Sequence, residues 1–266
     1  MDRLARLNLV VCELARQASE KIMCFYRNGA AVTWKTDASP LTAADQASHD
    51  FLVNSLQSLM PEATVISEER RKQSTAPSKM GGYSGWWIRW MGPRSFLKVQ
   101  TNLRSMLLSW RPDYRCWALS AHRHSILPIY GGRNFGSWRQ VDGERPTPIS
   151  TRRADSSELS LVASKDHAGP LVSAMLARLT HPQLQSMGSS LKFCLVAEGK
   201  ADIYLRDLPT MEWDTAAAQC IVEAAGGGVY SLDGETLRYG KPGLKNPAIM
   251  TVGDTRLDWR RLIAQV

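Results

Sequence analysis

From Leu159 onward, stretches patterned as strands and stretches patterned as helices take turns along the chain, and this alternation restricts the fold more than any other feature. "LSLVASKDH" reads as a strand, "GPLVSAMLARL" as a helix, and "SSLKFCLVAEGKADIYL" as a helix, a glycine turn and a strand. "MEWDTAAAQCIVEAAGGGVYSL" reads as a helix opened at Asp214 and closed by Gly226 to Gly228, with a strand behind it. A chain that alternates in this way covers its sheets with helices, which is the α/β class.

The first half is less regular. Leu7, Val10, Val11, Leu14, Ala18 and Ile22 recur at helical spacing, and the pattern stops at an Asn-Gly pair. A Ser-Pro turn in "TDASPLTAAD" precedes a helix expected from about Thr42 to Leu59. "ATVISEE" reads as a short strand ending in two carboxylates, and "ILPIYGGRNFGSWRQVDGE" as a hairpin. Between Arg70 and Leu127 neither period is legible. The turn-rich "PTPISTRRADSS" marks a boundary near residue 150, dividing an N-terminal α+β part (1–150) from a C-terminal α/β part (151–266).

A net charge of +8 would ordinarily suggest an anionic partner such as nucleic acid. Its distribution argues against that. Residues 70–128 hold eleven of the 33 Lys and Arg but one of the 25 Asp and Glu, so the rest of the chain is slightly acidic. Five of the nine tryptophans crowd into the same window. The five cysteines are dispersed without a CxxC pair, as expected of reduced thiols in a cytoplasmic protein. The apolar runs are too short for a membrane span, and the N-terminus lacks a signal-peptide pattern.

Three carboxylates draw attention: Asp45 in "SPLTAAD", Glu68 in "VISEE" and Asp214 in "EWDTAA". Each has a structural alternative. Asp45 follows Thr42 by three residues, a capping-box spacing. Asp214 suits a helix N-cap, and Glu68 a solvated strand end. The strings around them decide the matter. "KTDASPLTAAD", "VISEE", "GSSLKFCLVAEGKADIY", "WDTAAA" and "NPAIM" resemble the 3′(2′),5′-bisphosphate nucleotidases of the inositol monophosphatase superfamily over residues 1–69 and 130–266. The resemblance implies a layered αβαβα sandwich and a Mg²⁺-dependent phosphomonoesterase acting on a small bisphosphate nucleotide.

The residue types suit that chemistry, because Mg²⁺ takes hard oxygen ligands from one or two carboxylates plus water and phosphate. By resemblance, Glu68 binds metal and orients the attacking water. Asp214 holds a second ion and sits where a helix dipole favours phosphate. Asp45 pairs with a threonine that tunes that water. Lys192, with Ser189 and Ser190, reads the substrate's other phosphate, a feature that an inositol monophosphatase would not need.

One family element is missing. A strand ending Asp-Pro-Leu-Asp-Gly-Thr should follow "SEE", yet no Asp or Glu occurs from Arg70 to Pro112. "YSGWWIRWMGPRSFLK" stands there instead. Trp has only the codon TGG and Met only ATG. Read from the third base of each codon, Trp86–Trp87 becomes Val, Trp87–Ile88 Asp, Trp90–Met91 Asp and Met91–Gly92 Gly, all without freedom. The intervening codons permit the whole string Val-Asp-Pro-Leu-Asp-Gly-Thr-Lys-Glu-Phe. The same offset forces Leu-Gly at Cys116 to Ala118. The expectation is that a segment within about 70–128 is read out of frame, from a point between Arg70 and Gly82 until near Ile129. As written, the chain lacks two aspartates and the threonine partner of Asp45, so weak activity and poor folding are expected.

Two other readings stay open. One is an inositol or sugar-phosphate phosphatase. The other is a non-catalytic protein whose Trp-Arg block grips nucleic acid, although no nucleic acid is expected if that block is a misread frame. Weak peripheral contact with the cytoplasmic face of the inner membrane through the same block is a further alternative.

Overall fold

The computed structural model describes residues 10–25 (apart from 12, 19, 22 and 23), 32–34, 40–59, 61, 64–67, 85–91, 104–110, 129–163 (apart from 133, 134, 142 and 143), 169–178, 183–184 and 189–264. The described residues of the 10–25 stretch are helical, as the spacing of Val10, Val11, Leu14 and Ala18 leads one to expect; Leu7 and Ile22 of that pattern lie outside the described residues. A short antiparallel pair, β1 (Val32–Trp34) and β2 (Pro40–Thr42), leads into α1 (Ala43–Leu59). Pro40 of the expected Ser-Pro turn is instead the first residue of β2, Ser39 lies outside the described residues, and the helix starts within a residue of the expected Thr42.

Two sets of strands form the first sheet region. β3 (Thr64–Ser67) pairs in parallel with β4 (Gly85–Met91), which pairs antiparallel with β5 (Arg104–Trp110). β6 (Ile129–Gly132), β7 (Gly136–Arg139) and β8 (Thr147–Ile149) form an antiparallel meander that begins with the expected hairpin. The segment that showed no period thus carries two strands. "GWWIRWM" and "RSMLLSW" are rich in aromatic and branched residues that favour extended backbone, but they do not alternate with polar residues.

The second sheet has five strands in the order β10 (Gln183–Leu184), β9 (Leu161–Ala163), β11 (Ile203–Arg206), β15 (Ile249–Val252) and β13 (Gly228–Ser231). β10 and β11 run parallel to β9, whereas β15 is antiparallel to both of its neighbours. The helices are α2 (Pro170–Arg178), α3 (Ser189–Ala197), α4 (Glu212–Ala224) and α5 (Trp259–Ala264). A two-residue pair, β12 (Thr210–Met211) with β14 (Lys245–Asn246), closes the base of α4.

Three apolar clusters show how these parts are layered. Val11, Ala15 and Ala18 meet Leu52, Val53 and Leu56 of α1 and Val65 of β3, so helices cover one face of the first sheet. The next residue of β3, Ile66, points the other way and joins Ile129, Phe193, Val196, Trp213, Ile221, Val162, Tyr204, Val229 and Ile249. That second cluster places α3 and α4 between the two sheets, and it draws on residues either side of position 150. On the far side, Leu161, Ala163, Ile203, Leu205, Met250 and Val252 face Val172 and Met175 of α2 and Trp259 of α5. The strict alternation along β9, β11 and β15 is what a sheet covered on both faces requires. The result is the expected αβαβα sandwich.

Every residue of α4 from Glu212 to Val222 is buried, which fits a helix in a middle layer. Ala216, Ala217 and Ala218 keep its girth small, so both sheets approach closely. β7 is tied to it directly, because Ser137 Oγ donates to the Ile221 carbonyl at 2.7 Å.

The open start of α2 is closed from another element. Asp207 accepts hydrogen bonds from the N–H groups of Gly169 (3.0 Å), Leu171 (3.0 Å) and Val172 (3.3 Å). A Cβ at residue 169 would fall 2.2 Å from an Asp207 oxygen, so only glycine admits the carboxylate. Asp207→Ala is expected to lower stability by about 1–2 kcal/mol through loss of this cap, read as a fall in the denaturation midpoint. A midpoint equal to the parent's would remove Asp207 from that role.

Acid sensitivity should arise at the turn before α5. Asp254 accepts from Arg256 Nη2 at 2.7 Å and Nε at 2.8 Å, and from the Ala154 N–H at 3.3 Å. The Arg256 guanidinium holds its carboxyl below the usual carboxylate range. A depressed folded value means that the stabilisation is complete above the unfolded value of about 3.9 and is lost as pH falls below it. Asp254→Asn should therefore flatten the acid limb of stability against pH, and an unaltered limb would contradict this assignment.

Candidate active site

The base of α4 is the most heavily wired part of the described structure. Met211 is extended (φ −100°, ψ 160°) and leads into a helix beginning at Glu212, two residues before the expected start. Asp214 is therefore not the N-cap but the third helical residue, and its Oδ2 accepts from the Met211 N–H at 2.8 Å. Sequence alone could not separate these positions, because Asp suits both. Asp214 is 7% exposed, so the carboxylate is held at the positive end of a helix and mostly shielded from water.

Three residues that sequence reasoning passed over secure this turn. Glu212, fully buried, accepts from the Gly240 and Lys241 N–H groups at 2.8 and 2.9 Å and pairs with Lys241 Nζ at 2.7 Å. Asn246, in the "NPAIM" string, donates from Nδ2 to the Met211 carbonyl at 2.8 Å and to Thr215 Oγ1 at 2.9 Å. Tyr239 Oη donates to Gln219 Oε1 at 2.7 Å. The 239–246 segment thus clamps the first turns of α4. Nothing in the local pattern marks these residues, since their partners are up to 36 positions away.

The lysine expected to read a phosphate lies deep in the molecule. Lys192 is 0% exposed, and its Nζ is 5.4 Å from the centroid of the Tyr204 ring. A buried ammonium is costly without such compensation, and a ring face supplies part of it. Tyr204 also meets Phe193 edge-on at 5.0 Å, and burial pushes its phenol up to about 12. Tyr204 is an interior residue. It lies within β11 and is fully buried, as the inward position of an alternating, doubly covered strand.

Ser189 and Ser190 form the first turn of α3, and Asp45 is the third residue of α1, immediately after β2 and Thr42. Glu68 lies outside the described residues. Its predecessor, Ser67, ends β3, 2% exposed, with its Oγ 2.8 Å from Nδ1 of His49 on α1. β4 enters beside it in a defined register, with Ile88 opposite Ser67. The codon pairs whose displaced reading gives aspartate, 87–88 and 90–91, therefore fall in the middle and at the end of β4, which pairs with the strand that precedes Glu68. As written, that strand offers no carboxylate.

The arrangement of layers is that of the inositol monophosphatase fold. CysQ from Bacteroides thetaiotaomicron, a bacterial member of that family, matches with a TM-score of 0.78 at 27% identity over 93% of this chain and 97% of its own. Staphylococcal inositol monophosphatase-1 shares the fold at a TM-score of 0.72 and 13% identity, over 96% of this chain and 92% of its own. The inositol monophosphatase profile matches residues 135–260, beginning just past the anomalous block. The 3′(2′),5′-bisphosphate nucleotidase CysQ of Escherichia coli O157:H7 is 34% identical over 246 residues, covering 86% of this chain and 92% of the relative. The chain belongs to the inositol monophosphatase family. No helix among the described residues is long and apolar enough to cross a membrane.

Proposed function

We propose that the chain is built as a Mg²⁺-dependent phosphatase that converts 3′-phosphoadenosine 5′-phosphate and related bisphosphate nucleotides to their monophosphates, and that residues 70–128 as written impair it. The observation that carries this reading is the 34% identity spanning 92% of a relative named as a bisphosphate nucleotidase. The donor chemistry fits a divalent ion in part. Asp214 is a buried carboxylate with one oxygen already fixed, and a hard cation takes such an oxygen with water and phosphate. Glu68, directly after Ser67, would supply a second carboxylate. β4 supplies none, so the chain as written suits fewer ions than the family motif would hold.

When bound, the ion would polarise the phosphoryl group and offset charge on the leaving oxygen. Glu68 orients the attacking water. Asp214 keeps its geometry because the Met211 N–H holds it, and the α4 dipole favours the ester's negative charge. Asp45 has lost the threonine it would pair with. Ser189, Ser190 and Lys192 on α3 take the second phosphate, and the buried lysine would need neighbouring groups to admit the ligand.

The test is phosphate release from 3′-phosphoadenosine 5′-phosphate and from inositol monophosphate, with and without Mg²⁺. It is run on this chain and on one whose segment follows the displaced frame. A preference for the inositol ester in the restored chain would overturn the nucleotidase assignment.

A further inference from the structure

Asn246 belongs to a string with no chemistry expected of it, yet its side chain is built into the turn that presents Asp214. It is 4% exposed and sits in β14, whose Lys245 and Asn246 pair with Met211 and Thr210 of β12. Its Nδ2 donates to the Met211 carbonyl at 2.8 Å and to Thr215 Oγ1 at 2.9 Å, with Thr210 Oγ1 at 3.2 Å. The Met211 N–H is the donor that Asp214 Oδ2 accepts from, also at 2.8 Å. Met211 is therefore held on both sides, at its N–H by Asp214 and at its carbonyl by Asn246.

We propose that Asn246 is a positioning residue, acting through Met211 to aim the Asp214 carboxylate and so to tune its hold on a divalent cation. The proposal rests on the phosphatase reading, in which Asp214 takes the ion. β12 is two residues long, and so short a ladder restrains weakly the direction of the helix that leaves it. The Met211 carbonyl belongs to the peptide from which α4 starts. A hydrogen bond is directional, so the Asn246 amide fixes that peptide's plane, where an apolar side chain of the same size would fix only distance. With the plane turned, the Met211 N–H and Asp214 Oδ2 would no longer meet, and the carboxylate would lose its aim. Thr215 receives the amide too, but its Oγ1 donates to the Glu212 carbonyl at 3.2 Å within α4, so it bears on the helix and not on Met211. Partners standing one step behind a metal ligand commonly alter affinity by roughly 10–100-fold when removed.

The experiment titrates this chain with Mn²⁺, reading free ion by electron paramagnetic resonance, so that no turnover is needed, and records each variant's denaturation midpoint. Asp214→Asn tests the underlying reading. Asn246→Leu and Asn246→Ala test the link, the second only removing atoms where leucine does not fit. Thr215→Val disturbs the same buried network without touching the Met211 carbonyl. The Mn²⁺ dissociation constant should rise about tenfold in both Asn246 variants. It should stay within about threefold of the parent in Thr215→Val, even with a lowered midpoint. Asn246→Ala combined with Asp214→Asn should bind no more weakly than Asp214→Asn alone, because Asn246 acts only through that carboxylate.

Unchanged binding in the Asn246 variants, with weakened binding in Asp214→Asn, overturns the positioning role while leaving the phosphatase reading intact. Unchanged binding in Asp214→Asn, or none in the parent, overturns that reading and the positioning role with it. Equal loss in Thr215→Val and Asn246→Ala, or further loss in the double variant, shows a general packing effect and overturns the proposal. So does failure of both Asn246 variants to fold, which assigns the residue to the fold alone.

Discussion

Replacing residues 70–128 with the displaced-frame sequence should raise Mg²⁺-dependent phosphate release by at least about 10³-fold over the chain as written. The replaced segment would bring two aspartates into β4, and a threonine partner for Asp45. Each carboxylate added beside a cation contributes charge stabilisation in a site shielded from water, and several kcal/mol in the transition state corresponds to roughly that rate. Trp, Ile and Met at these positions offer no side-chain oxygen. The backbone is already suited to the change. β4 lies between β3 and β5, with Ile88 in register with Ser67, so the restored residues would enter an existing strand. Codons that fail to spell the motif at this offset would end the idea before any assay. A restored chain that folds but releases phosphate no faster would end it afterwards.

Asp214→Asn in the restored chain should cut activity by on the order of 10²–10³-fold while leaving the denaturation midpoint nearly unchanged. The two effects separate because Asp214 has two tasks. Its Oδ2 caps the Met211 N–H, and an asparagine carbonyl oxygen can accept the same bond. Its negative charge is what a divalent ion would need, and asparagine lacks it. A measured half-saturating Mg²⁺ concentration should rise alongside the loss of rate. A large fall in stability with activity per folded molecule intact would instead assign Asp214 to the helix cap alone, the structural alternative that its spacing first allowed.

The family and the layered class were legible in local strings. "WDTAAA" and "GSSLKFCLVAEGKADIY" carry both a helix–turn–strand pattern and a chemical signature, and each element they predict is present within a residue or two. The strands at 85–91 and 104–110 were not legible, because their residues are extended-chain formers without a polar alternation to reveal the period. The start of α4 was misplaced for a different reason. Asp at the N-cap and Asp at the third helical position look alike until the Met211 backbone shows which one applies.

Residue types and spacing by themselves determined that this chain alternates strands with helices, that its basic charge belongs to one block, and that its acidic motifs are those of a phosphatase family. Those properties are local or are written in codons, so no folding is required to read them. Which carboxylates are buried, which segment clamps α4, that Lys192 lies against Tyr204 and that His49 reaches Ser67 were decided only by the tertiary structure. These contacts join residues from 12 to 36 positions apart, and the chain can bring them together only by burying its apolar faces in layers.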